Sequence, residues 1–205
     1  AWLRPDKAKI FVVSDRPLAE VKAAFDARFG DWTPTGPAGV KDFSVKTAPS
    51  APKIVLIDRP DSPQSFIIAG APTSLVGTDD LLPLETANDT LGGDFLSRVN
   101  MDLREARHWS YGVNGSFRRA QYATPYLLGT GVQADKTGES IASLRTDFAE
   151  FLTTKGITGD EFDRTITDAI SSLPGTFETS GAVLGALQQN DLYRRPDDYY
   201  ATLPQ

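Results

Sequence analysis

Arg104 and Tyr111 stand seven residues apart in the run LREARHWSYG, with a change from helical to strand-like sequence between them. An Arg is a permanent cation with several donors. A Tyr hydroxyl is a neutral donor on a rigid arm. Together they suit a peptide carbonyl oxygen on which negative charge develops. Spacing alone leaves the ordinary alternative open, a surface Arg beside a half-buried Tyr.

Other residues with chemical potential have simpler explanations. Glu105 and His108 are three apart, the helical spacing of a Glu-x-x-His metal pair, but such sites need a second pair and further carboxylates. His108 is the only His and Cys is absent, so a zinc donor set is missing. At the end of a helix, His108 suits the dipole there. Leu91-Gly92-Gly93 is too short for a phosphate-binding fingerprint and lies in or at the end of a helix, so close packing is the expected use of its glycines. No GxSxG elbow supports a serine nucleophile. Asp79-Asp80 suit helix capping and Asp197-Asp198 a solvated tail. Trp109 with Tyr111 is the right chemistry for stacking on a sugar or base, although aromatic residues in an apolar-flanked run are more often core.

The bulk composition narrows the classes. The chain has 205 residues, 40% of them hydrophobic, which suffices for one globular core or two small ones. A formal charge of −6 argues against nucleic acid as a partner, because phosphate neutralisation needs a basic face. No apolar run approaches the ~18 residues of a membrane span. Without Cys there are no disulfides and no thiolate metal ligands. The chain begins at Ala1 and shows no signal sequence, so an excised or processed piece of a longer protein is expected.

Several elements must position the candidate residues. IFVV at 10–13 reads as a strand. A helix follows to Gly30, with Asp15 as cap, Pro17 in its first turn and Leu18, Val21, Phe25 and Phe29 on one face. Residues 53–58 and 65–72 read as paired strands around the turn RPDSPQ. Asp79 and Asp80 precede a helix expected over 81–95, striped by Leu84, Ala87, Leu91 and Phe95. SYGVNGSF and PYLLGTGV read as strands. Residues 139–156 form an amphipathic helix with Ile141, Leu144, Phe148, Phe151 and Leu152 on one face. Thr158 and Glu161 form a capping box for a helix that Pro174 stops. A last helix covers 180–192, before a loosely held tail. Paired strands with helices in the longer gaps predict an α+β two-layer sandwich, its sheet mixed but mostly antiparallel, with helices mainly on one face. A single domain over 1–205 is expected.

The run from 91 to 117 resembles the C-terminal-half signature of the pitrilysin/insulinase family of zinc metallopeptidases, which includes the processing peptidases. The matching pieces are Leu91-Gly92-Gly93, Ser97-Arg98-Val99, Leu103-Arg104-Glu105 and Ser110-Tyr111-Gly112. WLRPDKAKIFVVSD resembles the family's domain opening, with Ser14 where Gly is usual. Further similar segments extend the resemblance over nearly the whole chain. The run departs from the family at Arg107-His108-Trp109, where a Lys/His-Gly-Tyr segment is frequent.

The resemblance implies a domain that has lost HxxEH and closes over a peptide substrate like half of a clamshell. By position, Arg104 and Tyr111 would hold the substrate carbonyl and its oxyanion. Zinc would sit on a partner, an HxxEH-bearing N-terminal half or subunit, and this chain alone would be inactive and carry no cofactor. A non-catalytic scaffold or core subunit of the same fold, or a peptide-binding module, is the competing expectation. Bacterial relatives are often periplasmic, and the absence of Cys is compatible with that compartment.

Overall fold

The computed structural model describes residues 2–43 and 51–203. Its helices are α1 (Leu18–Phe29), α2 (Leu82–Asn88), α3 (Arg98–Asn100), α4 (Thr137–Thr153), α5 (Gly159–Thr176), α6 (Ser180–Tyr193) and α7 (Tyr199–Thr202). Its strands are β1 (Gln64–Ala71), β2 (Ser110–Phe117) and β3 (Tyr126–Gln133). They group into two compact units, one of Thr47–Ser171 and one of Ala1–Lys46 with Ser172–Gln205. Among the described residues no helix is long and apolar enough to cross a membrane.

The larger unit is an α+β two-layer arrangement around an antiparallel sheet in the order β1-β3-β2. Alternation along β3 divides the faces. Leu128, Thr130 and Val132 are buried, whereas the residues between them are not. Val113 of β2 pairs with Thr130 and joins the buried face. Helical segments cover this face. Leu91, Val99, Leu103, Val113, Leu128 and Leu144 form the core, with Trp109, Tyr126, Phe148 and Phe151 packed against it. Each fully buried Leu is worth ~2 kcal/mol relative to exposure.

The three strands stand within a residue or two of their predicted places, but β1 has a different partner. It pairs with β3 from Gln64↔Gln133 to Ala71↔Tyr126. Residues 53–58 form no strand, and Ile54, Val55, Leu56 and Ile57 are exposed. Residues 10–13 form none either. Apolar content gives a segment strand propensity, but a strand exists only where a neighbour takes up its N–H and C=O groups. Among the described residues neither segment has one.

The helix predicted over 81–95 is shorter. α2 widens into a π-helical turn at Asp89–Gly93 and stops at Asp94, whose φ −108 and ψ 165 are extended. Two successive glycines are poor at continuing a helix. Its inward face is also rotated from the predicted stripe: Leu81, Asn88 and Leu91 are buried, while Leu84 and Phe95 are exposed. Asn88 takes an inward position because both ends of its amide find partners there. Its Nδ2 donates to Gly115 O at 2.7 Å, and its Oδ1 accepts from the Tyr126 hydroxyl at 2.8 Å. Gly115 must be a glycine, since a Cβ there would lie 2.1 Å from the Tyr126 oxygen. Asp80 does serve the helix start, its Oδ1 accepting from Leu82 N–H at 3.2 Å.

α4 buries Leu144 and packs Phe148 and Phe151 on the core, while Ile141 and Leu152 at the stripe's margins are exposed. The capping box before α5 is formed. Thr158 N–H donates to Glu161 Oε2 at 2.9 Å, and Glu161 N–H donates to Thr158 Oγ1 at 3.3 Å. Pro174 does not stop α5, which continues to Thr176. A proline this near the end removes a single intrahelical hydrogen bond.

In the smaller unit, Arg4 is buried and folds the N-terminal segment onto a loop. Its guanidinium grips Asp6 through Nε and Nη2 at 2.8 and 2.9 Å, and Nη1 donates to the carbonyls of Thr35 and Gly36. α1 begins one residue later than Pro17, with no side-chain cap from Asp15, and buries none of its stripe fully. α6 is capped by Thr179, which accepts from Ala182 N–H at 3.1 Å. The tail is better held than its polarity suggests. Tyr200 packs edge-on to Phe177 at 5.1 Å, and the Arg195 guanidinium lies 4.3 Å from the Tyr199 ring centroid.

Candidate functional site

Arg104 lies on a π-helical turn, Met101–Ala106, that continues α3. Its guanidinium stacks over the Phe95 ring at 4.1 Å, and Nη1 lies 2.6 Å from Glu105 Oε1. The helix then ends abruptly. Arg107 N–H donates to Asp102 O at 3.0 Å and Trp109 N–H to Leu103 O at 2.9 Å, with His108 between them in the left-handed region at φ 57. This is the geometry by which a helix ends on a residue that is usually glycine. The chain passes from it directly into β2.

β2 opens with a bulge. Ser110 pairs with Val132 and Val113 with Thr130, so Tyr111 and Gly112 both face Gly131 alone. A bulge of this kind re-aims a side chain. Two hydroxyls hold it from the buried side. Ser110 Oγ accepts from Gly112 N–H at 3.0 Å and lies 2.8 Å from both Gly131 O and Thr130 Oγ1. Thr130 Oγ1 donates to Gly112 O at 3.0 Å. The consequence is that Tyr111, the residue after a half-buried Ser, is 90% exposed. The half-buried Tyr of the ordinary reading is therefore not what forms.

Arg104 and Tyr111 line one open cleft of about 550 Å³, together with Gln64, Glu105, His108 and Gln133 among others. Tyr111 also lines a second hollow of about 360 Å³, bounded by Gly129 and Gly131 of β3 and by Asp94, Phe95 and Asn100 of the segment that precedes β2. A rigid donor and a fixed cation therefore reach the same solvent-filled space. Gln133 ties the cleft wall, its Nε2 donating to His108 O at 3.0 Å.

Sequence comparison decides what kind of domain carries this cleft. Residues 1–168 match the family described as the peptidase M16 inactive domain. The chain belongs to that family. This bears out the resemblance to the pitrilysin/insulinase zinc metallopeptidases. Solved structures agree on the M16 inactive-domain fold. The peptidase M16 inactive domain from Pseudomonas fluorescens superposes with a TM-score of 0.70 at 21% identity, over 93% of this chain and 44% of that one. A protease from Helicobacter pylori gives 0.73 at 14% identity, over 94% and 48%. The ferredoxin protease FusC, solved as a mutant in complex with Arabidopsis ferredoxin, gives 0.61 at 12% identity, over 94% and 21%. At such identities the likeness is one of fold, and the chain spans less than half the length of each. No curated protein matches it in sequence.

The M16 inactive domain's other candidates resolve separately. No group of three or more His, Cys, Asp or Glu is placed to hold a metal ion among the described residues. With one His and no Cys, the donor set does not fit zinc. Glu105 is engaged with Arg104, and His108 Nδ1 lies 3.1 Å from the carbonyl of Arg104. Gly92 and Gly93 serve close packing: a Cβ on Gly93 would lie 2.5 Å from Asp89 Oδ1, and one on Gly92 3.3 Å from Val99 Cγ2. Trp109 packs on the core, with the Arg107 guanidinium 4.8 Å from its ring centroid, so it is not an open stacking platform.

Residue types alone miss Ser110 and Thr130, which hold the bulge, because a hydroxyl in a strand is ordinary. They also miss Asn100, whose amide bonds the β2 backbone at Val113. An Asn between Val99 and Met101 carries no signal of that role.

Proposed function

We propose that this domain clamps a peptide substrate and stabilises the oxyanion in a zinc metallopeptidase whose catalytic metal lies on another, HxxEH-bearing half or subunit. The observation that carries the reading is the β2 bulge, which turns the Tyr111 hydroxyl out over the cleft that Arg104 also lines. Family membership supports it, because the domain is the inactive member of a zinc peptidase pair.

The roles follow from the chemistry of the two donors. Tyr111 donates its O–H to the substrate carbonyl oxygen, and that hydrogen bond strengthens as charge accumulates there. Arg104 supplies positive charge without a proton exchange at neutral pH. Phe95 beneath the guanidinium and Glu105 beside it restrict its rotamers, so less freedom is lost when substrate arrives. Zinc on the partner half supplies the activation of water, and this chain alone cleaves nothing.

The test is peptide cleavage by the HxxEH-bearing half with and without this chain, wild type or Tyr111→Phe. The expected result is restoration by the wild type and a kcat lower by ~10²–10³ in the variant, with KM little changed. An unchanged kcat overturns the role of Tyr111. Association of the two halves without any cleavage assigns the domain to a scaffold.

A further inference from the structure

The sheet face away from the helices has a floor without side chains. Phe66 pairs with Gly131 and Ile68 with Gly129 across β1 and β3. Asn114 of β2 faces Gly129 from the other side. Paired residues share a face, so two glycines of the central strand lie between an apolar wall and a mixed one. Phe66 and Ile68 are 72% and 71% exposed, although they are large apolar residues in the middle of a strand. The hollow of about 360 Å³ over these glycines is lined by Phe66, Phe95, Tyr111 and Gly131, and also by the polar Asp94 and Asn100, among others.

We propose that this hollow is a specificity subsite for one large apolar side chain of an extended peptide whose carbonyl is held at Arg104 and Tyr111. The inference rests on the proposed function and names what that site prefers. Continuity supports this occupant, since Tyr111 borders both the Arg104 cleft and the glycine-floored hollow. An extended chain advances about 3.3 Å per residue, and Tyr111 borders both spaces, so the side chain belongs to a residue near the held carbonyl. The floor is shaped for it. A Cβ on Gly131 would stand 3.9 Å from Phe66 Cδ2 and one on Gly129 3.6 Å from Phe66 Cζ, ordinary contacts that leave the strand able to accept a side chain. Glycine at these two positions therefore keeps space open above the sheet and does not relieve a clash within it.

The test uses the assembled peptidase, both halves together, and peptides in which a single Leu or Phe replaces Gly at each position about the cleaved bond. The readout is the ratio of kcat/KM between the apolar and the Gly peptide. At one position that ratio is expected to fall roughly tenfold in Gly131→Val, which fills the hollow, and to fall in Phe66→Ala, which removes its wall. Phe66 is exposed, so its truncation costs little stability and guards against a folding defect in the other variant. Loss that is uniform across all peptides, or a ratio unchanged at every position, overturns the subsite. So does a change from dimer to monomer in Phe66→Ala with selectivity unchanged, which assigns the face to a second copy of the chain. If Tyr111→Phe lowers kcat while the ratios stay fixed, the subsite alone falls. If Tyr111→Phe also leaves kcat unchanged, the clamping role falls with it.

Discussion

Asn100 bonds both backbone groups of Val113: its Nδ2 donates to the carbonyl at 2.9 Å, and its Oδ1 accepts from the N–H at 2.7 Å. A single amide thus stands in for a neighbouring strand at the edge of β2. Asn88 contributes a similar bond two residues on, at Gly115 O. Asn100→Ala would strand two buried backbone groups, so a loss of ~2–3 kcal/mol is expected in urea unfolding. Asn100→Asp keeps the acceptor but loses the donor at pH 7. Its stability should recover in part under acid, where the protonated carboxyl donates again.

Arg98 forks onto Glu161, Nε to Oε1 and Nη2 to Oε2, both at 2.7 Å, and also donates to the carbonyls of Lys155 and Gly156. The guanidinium, together with the Thr158 bonds, holds the Glu161 carboxyl down at about 2. Both side chains are largely shielded, so Arg98→Ala is expected to cost ~3 kcal/mol. The pKa is depressed in the folded state. The pair's contribution is therefore whole above the ordinary Glu value of 4.5 and fades as pH falls through about 2. Unfolding midpoints of wild type and Arg98→Ala should converge over that interval.

Asp147 behaves in the opposite sense. Burial, and then the neighbouring Asp102 charge, raise its pKa to about 6, and its Oδ2 is buried without a hydrogen-bond partner among the described residues. The folded state prefers the protonated acid, so stability is full below the ordinary Asp value of 3.8 and is lost as pH rises through about 6. Asp147→Asn should be more stable than wild type at pH 7.5, by ~1 kcal/mol after allowing for solvent screening. Thermal melts at pH 3.5 should show that advantage gone.

His108 holds a left-handed backbone at φ 57 where the helix stops. Its side chain reaches the Arg104 carbonyl at 3.1 Å. Relief of the left-handed strain is worth ~1 kcal/mol and the lost contact somewhat less, so His108→Gly should match or exceed wild-type stability. His108→Val, β-branched and without the polar contact, should fall below wild type by ~1–2 kcal/mol in the same melts.

Where local chemistry decides the structure, the sequence was a good guide. Thr158 and Glu161 form the capping box that their spacing announces. β2 and β3 stand within a residue of the runs SYGVNGSF and PYLLGTGV that read as strands, and Arg104 and Tyr111 reach one cleft. What was not legible depends on distant partners. The apolar runs at 10–13 and 53–58 look like strands, but strand formation is decided by a neighbour that no local pattern encodes. Asn88 turns inward on a helix whose apolar spacing pointed elsewhere, because the carbonyl of Gly115 and the hydroxyl of Tyr126 offered it partners. The exposure of Tyr111 follows from a two-against-one register, and a period of two cannot announce its own interruption.

One outer strand has a cost in handling. Among the described residues β1 is bonded on one side, to β3, and the chain before it carries Ile54, Val55, Leu56 and Ile57 in the open. An unpaired sheet margin close to a run of branched aliphatics is a template for growth of one molecule onto another. Lys53 and Asp58 bracket that run with opposite charges, and Pro60 and Pro63 follow before β1 starts. They act as gatekeepers, so colloidal stability of the isolated domain depends on a few residues outside the core.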